Sequence, residues 1–189
     1  SLLNKVEMAV QTMLLATSDP DVPSPGADNP SSSTSAHAPA PVPASVFHWK
    51  QQYFKKGVTG YKSESGASVK SSVCVKGHIM LDYPMVEIFG TLMNQGTIRE
   101  FNPQIDSAKT KLKFGTCSFL ESVKCFRIWP TATRDYINFV HWRLLEDGRI
   151  VIAAFSDKKY SDQFPPEEGT VRAEMILGGY LLTRVNNKT

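Results

Sequence analysis

The chain has 189 residues, 41% of them apolar, and a formal net charge of +3. That length supports one hydrophobic core plus an appendage rather than two ordinary domains. The basic residues, among them Lys50, Lys55, Lys56, Lys62, Lys109, Lys111 and Lys113, are scattered and interrupted by acids, which argues for a solvated mixed-charge surface and against a nucleic-acid partner.

Leu2, Leu3, Val6, Met8, Ala9, Met13 and Leu14 fall close to a helical stripe, so residues 2–17 read as one amphipathic helix stopped by the run SDPDVPSPG. Residues 18–45 are almost wholly Pro, Ser, Ala, Asp and Gly. Such a composition cannot bury enough apolar surface to offset its ordering entropy, and a disordered linker is expected. From Val46 the pattern shortens to strands. VFHWKQQY and VTGYKSE form a first pair joined near Lys56-Gly57, and SVKSSVCVKGHI alternates as a third strand. In MLDYPMVEIFGTLMNQG the period lengthens: Met85, Ile88, Phe89 and Leu92 share a helical face, with Asp82 the expected N-cap and Gly96 the C-terminal stop. SAKTKLKFG reads as an edge strand, wet on the side of Lys109, Lys111 and Lys113 and facing inward with Thr110, Leu112 and Phe114. SFLESVKCFRIW follows across Gly115. RDYINFVHWRLLEDGRIVIAAFS holds Asp147-Gly148 between two β-rich runs, a hairpin signal, and TVRAEMILGGYLLTRV reads as one last strand. The expected whole is an antiparallel meander with a helix after its third strand, an α+β arrangement.

Cys74, Cys117 and Cys125 are odd in number, and none stands in a CxxC pair or at a zinc-type spacing to a histidine. Inert thiols in a reducing compartment, hence a cytoplasmic chain with no metal and no cofactor, are the expectation. No apolar run reaches the roughly 18 residues of a membrane helix, and the start lacks the order of a signal peptide. Opening on Ser1, the chain is compatible with a piece of something longer.

One residue breaks the strand pattern. Glu121 alternates with Phe119, Val123 and Cys125, and a carboxylate in such a stripe is costly unless paired, hydrogen-bonded or protonated. The following strand is apolar on both sides, with Tyr136, Asn138, Val140 and Trp142 on one and Ile137, Phe139, His141 and Arg143 on the other. A sheet covered on one side and carrying polar atoms on its other apolar face suits a cavity. The alternatives are that Glu121 reaches water near the strand end, or that a bulge shifts its parity. At the mouth of that next strand Arg134 and Asp135 read as an ion-pair couple.

FRIWPTATRDYINFVHWR, EDGRIVIAAFS and PPEEGTVRAEMILGGYLL resemble the START (StAR-related lipid-transfer) domain, with its Trp-Pro segment, Arg-Asp strand start, serine-ended strand and Val-Arg-Ala strand followed by glycine and aliphatics. The order and spacing match from about Val46 to the end, nearest to the ceramide and steroidogenic branches. The resemblance implies a helix-grip fold: a curved antiparallel sheet around a hydrophobic tunnel for one lipid, with a C-terminal lid helix. It divides the chain into an N-terminal helix at 1–17, the linker at 18–45 and a lipid-binding domain at 46–189, short of the family's last strand and lid. The N-terminal helix is then either the family's first helix or the end of a preceding element.

In that reading Arg134, Asp135 and Arg172 are structural. Tyr136, Val140, Trp142, Ile152 and Ala154, with Cys125, supply apolar burial for the lipid, and Glu121 and Asn138 select a hydroxyl or headgroup. The steroidogenic pattern places a second arginine as partner for its tunnel acid where this chain has Val140, so Glu121 is expected to be a neutral donor. The positions that carry polar groups in the ceramide pattern are Asn102, Val123 and Ala154 here, which favours an apolar site over a ceramide-type one. The turn Leu145 to Arg149 is the expected membrane-facing mouth, a membrane surface being the second partner after the lipid. Competing readings are an enzyme, for which Cys125 with His141 is the one pairing to entertain, and a regulatory or scaffolding module with a vestigial pocket.

Overall fold

The computed structural model describes residues 2–17, 48–64 and 73–185; the expected linker at 18–45 lies outside them. The chain divides into two compact units, Leu15–Leu81 and a larger one of Ser1–Leu14 with Asp82–Thr189.

In the first unit β1 (Lys50–Lys55), β2 (Val58–Glu64) and β3 (Val73–Ile79) form an antiparallel meander in that order. Lys56 and Gly57 both take positive φ, 53° and 77°, the backbone of a two-residue hairpin turn whose twist matches its strands. The turn stands where the sequence put it.

The second unit is built on a larger sheet. Its strands are β4 (Ile105–Lys113), β5 (Ser118–Cys125), β6 (Thr133–Leu144), β7 (Ile150–Ser156), β8 (Thr170–Arg172) and β9 (Gly178–Leu182). The order is β4-β5-β6-β7-β9, with β8 beside the start of β6. The helices among the described residues are α1 (Leu2–Thr17), α2 (Met85–Met93), α3 (Ile98–Phe101) and α4 (Lys158–Ser161).

α1 lies on one sheet face. Val6, Ala9, Val10 and Met13 recur at helical spacing and are buried against Leu120, Ile137, Phe139, Val151, Ala153 and Phe155. Burying each larger side chain contributes about 1.5–3 kcal/mol. Two ion pairs fix the helix at its flanks, Lys5 to Asp157 at 2.5 Å and Glu7 to Arg143 at 2.7 Å. α2 lies on the opposite face, with Met85, Phe89, Leu92 and Met93 packed on Val140, Ile150 and Ile152, and Phe89 meets Trp142 edge-on at 4.9 Å.

Several expectations need correction. Pro84, not Asp82, precedes the first turn of α2; its ring has no acceptor to offer as a side-chain cap, and its fixed φ suits the entry to a helix. The helix ends at Met93 with Asn94 as its C-cap, ahead of Gly96. TVRAEMILGGYLLTRV is not one strand: β8 runs parallel to β6, and β9, after a turn through Met175, runs antiparallel to β7. Register shifts between Thr110 and Leu112, so the three lysines do not share a face. Thr110 stands opposite Glu121 and Lys113 opposite Phe119, while Leu112 pairs with Leu120 on the α1 side.

Nor are Arg134 and Asp135 a couple. Asp135 receives both arms of Arg172, Nε to Oδ1 and Nη2 to Oδ2 at 3.0 Å each, and the same guanidinium donates to the carbonyls of Ser161 and Phe164. Neighbours on a strand point to opposite faces, so adjacent residues are poorly placed to pair. Arg134 donates instead to Thr131 Oγ1 and the Ala132 carbonyl, bracing the loop before β6.

Candidate functional site

The sheet face under α2 carries nearly all the residues singled out from the sequence. The register aligns Glu121 with Asn138, Val123 with Tyr136, Val140 with Ala154 and Trp142 with Ile152, so these eight share that face, and Cys125 follows Val123 by strand alternation. Asn102 is elsewhere. It closes α3, where its Oδ1 accepts from the Gln104 N–H and its carbonyl from the Ile105 N–H.

Glu121 is half-buried and has amides, not a cation, for partners. Gln95 Nε2 approaches Oε2 at 3.4 Å, and the Asn138 side chain hydrogen-bonds the carboxylate as well. Burial raises its pKa above the ordinary 4.5, and the two amides oppose that rise only in part. Asn138 is itself held, since Ser156 Oγ donates to Oδ1 at 3.1 Å and the Met175 N–H donates to Ser156 Oγ at 2.9 Å. That chain turns the Asn138 NH₂ toward Glu121. Tyr180, beside Ile152 in the register, has its phenol pKa raised by burial and by the charge of Glu121.

Above this polar cluster the connection from α2 to β4 borders a cleft of about 520 Å³, lined by Met93, Gln95, Thr110, Lys113, Thr116 and Phe119 among others. Gln95, Thr110, Tyr180 and Ser156 are functional candidates that the sequence reading missed. Gln95 sits in a polar turn with nothing local to mark it; its role depends on Thr110 and Glu121, far along the chain. Tyr180 was legible once the last strand was divided, because its parity then follows from Gly178.

The pairing of Cys125 with His141 is not formed. His141 points to the α1 side, where its Nδ1 is 2.8 Å from Ser118 Oγ and its Nε2 is buried without a partner among the described residues. Cys125 faces the other way, and burial raises its thiol pKa, the reverse of an activated nucleophile. Among the described residues no cluster of three His, Cys, Asp or Glu could hold a metal, and no helix is long and apolar enough to cross a membrane.

The pattern of the START domain matches residues 48–189, three quarters of the sequence. The chain belongs to the START domain family. No curated protein sequence matches it. Solved START structures share its fold. A STAR-related lipid transfer protein from Xanthomonas axonopodis has a TM-score of 0.62 at 18% identity, over 72% of this chain and 74% of that one. Human StAR-related lipid transfer protein 5 gives 0.72 at 14% identity, over 95% and 73%. Human STARD10 gives 0.63 at 18%, over 74% and 56%. This START chain is thus an α+β protein of the helix-grip type, as its motifs implied.

Proposed function

We propose that this START chain binds one lipid non-covalently in an apolar tunnel on the α2 face, for lipid transfer or sensing, and performs no catalysis. The observation that carries the reading is the composition of that face: Val123, Tyr136, Val140, Trp142, Ile152 and Ala154 with one carboxyl group, Glu121, flanked by amides. Apolar burial supplies affinity at about 25 cal/mol per Å², before the costs of association. A carboxyl with a raised pKa and amide neighbours suits an uncharged hydroxyl better than a phosphate, so a sterol or another hydroxyl-bearing neutral lipid is favoured over a phospholipid.

Contact with a membrane surface in the cytoplasm completes the reading. The turn expected to serve as mouth is ill suited: Leu145 packs into the α1-side core and Arg149 is paired with Asp147 at 2.7 Å. The loop between β5 and β6 suits an interface better, since Ile128 and Trp129 are 59% and 83% exposed beside Arg127. An aromatic and an aliphatic next to a cation match the boundary between acyl chains and anionic headgroups.

Native mass spectrometry of the purified chain with lipid extraction tests the proposal. One lipid per chain supports it and names the class. A folded chain that stays empty after incubation with mixed-lipid vesicles refutes it in favour of a scaffolding module.

A further inference from the structure

The short helix α4 ends in a serine with cations on two sides. Lys158 and Lys159, both exposed, stand three and two residues before Ser161 in the run KKYS. On the inner side Arg172 Nη1 donates to the Ser161 carbonyl at 3.0 Å and to Ser161 Oγ at 3.3 Å. Protein kinases choose their substrates partly by charge pattern, and a pair of basic side chains just before a hydroxyl suits an acidic substrate groove.

The inner cation has nothing to spare. A guanidinium carries five N–H hydrogens, and Arg172 makes five hydrogen bonds: two to Asp135, two to Ser161 and one to the Phe164 carbonyl. Its one positive charge already faces the Asp135 carboxylate. A phosphoryl group on Ser161 Oγ would bring about −1.5 to −2 charges and three acceptor oxygens beside Nη1. Either the guanidinium turns from Asp135 to meet them, or two anions face each other across one cation. In both cases an anion in a part-buried place goes short of its partner, which is costly. Tyr160, next in the chain, packs on Phe114 at 5.6 Å and on Phe139 at 6.5 Å, so movement of this turn uncovers the aromatic end of the α1-side core.

We propose that Ser161 is a phosphoacceptor site for a kinase directed by basic residues, and that its phosphoryl group unlocks the α4 turn by contesting Arg172 with Asp135. The terminal phosphoryl group of ATP passes to Oγ, the hydroxyl proton goes to a base of the kinase, and ADP leaves. The two lysines bring the kinase, and Arg172 sets the response. Since Arg172 also holds the Ser161 carbonyl, the kinase acts on the turn in its opened form. Neither step involves a bound lipid.

The test incubates the whole chain with magnesium, ATP and the catalytic subunit of cyclic-AMP-dependent protein kinase, and maps phosphate by tandem mass spectrometry. Phosphate on Ser161 is expected. The initial rate at that site should be about tenfold lower in the double variant Lys158→Gln with Lys159→Gln, which removes two exposed charges and keeps the fold. The phosphorylated chain should melt at least about 4 °C below the unmodified one. Ser161→Ala, treated in the same way, should show no such fall, which excludes other acceptors as its source. In Asp135→Asn the second anion is gone, so the fall on phosphorylation should shrink or reverse; a phosphoryl group that acted by bulk alone would lower both Tm values equally. Ser161 without phosphate, a rate untouched by loss of the two lysines, an unchanged Tm, or an equal fall in Asp135→Asn overturns the inference and leaves lipid binding standing.

Discussion

Replacing Arg172 with leucine tests how the sheet is closed. Its guanidinium and the Asp135 carboxylate are only 19% and 11% exposed, and five hydrogen bonds converge on the one side chain, from Asp135, Ser161 and Phe164. Arg172→Leu leaves the buried carboxylate and the Phe164 carbonyl without this donor, while the Ser161 carbonyl keeps the Phe164 N–H. Removing one member of a buried pair costs about 3–5 kcal/mol, and in a chain of this size each kcal/mol moves Tm by roughly 2–4 °C. The expected fall is therefore about 6–20 °C by circular dichroism. The double variant Asp135→Leu with Arg172→Leu should recover part of it, since no charge is then stranded. A single variant melting within about 2 °C of wild type would refute the assignment, as would a double variant no better than the single.

Glu121→Gln should raise Tm at pH 7. A raised folded pKa means that stability is lost as pH climbs from the ordinary 4.5 through the folded value, so the neutral amide removes a cost that the charged carboxyl bears; the gain should shrink below about pH 4.5, and no gain at pH 7 would count against burial of the charge. Asp157, held below its ordinary 3.8 first by Lys5, has the opposite sign: its contribution is present above that value and lost as pH falls through the folded one. Asp157→Asn should accordingly lower Tm at neutral pH, with the difference from wild type closing toward pH 3. Gly179 has φ +150°, and a Cβ there would run into the Ile152 carbonyl oxygen. Gly179→Ala should cost about 3 kcal/mol by parting β9 from β7, read as a fall in denaturation midpoint. Replacing Ile128 and Trp129 together with serine should abolish sedimentation with phosphatidylserine-containing vesicles and leave Tm unchanged; retained sedimentation would move the interface elsewhere.

The two-sided character of the sheet was readable because strand parity needs no distant information. Phe119, Glu121 and Val123 alternate, and so do Tyr136, Asn138 and Val140, and pairing β5 with β6 puts the two sets on one face. The meander and the helix after its third strand followed from turn residues and a change of period. What escaped depended on irregularity or on distance. A bulge between Thr110 and Leu112 moves Leu112 and Lys113 to the faces opposite those that simple alternation assigns, and no residue type announces it. Arg134 and Asp135 look paired when read along the chain, but Arg172, in a strand of its own, is the partner, and chain-adjacent opposite charges were a poor guide. Gln95 became a site candidate only once Thr110 and Glu121 stood beside it.

The long strand β6 depends on two different stretches of chain along the side away from β5. Residues 138–144 pair with β7, and residues 133–135 pair with β8. Amide hydrogen exchange along this single strand should therefore proceed at two speeds. Its later part opens only with the β6–β7 hairpin, while its first residues open whenever the segment from α4 to β8 lifts, an event opposed mainly by Arg172. Because Ser156 immediately precedes that segment and Met175 follows it, lifting would also release the chain of hydrogen bonds that aims Asn138 at Glu121. Local unfolding at one edge of the sheet is thereby coupled to the hydrogen bonding of its central carboxyl group.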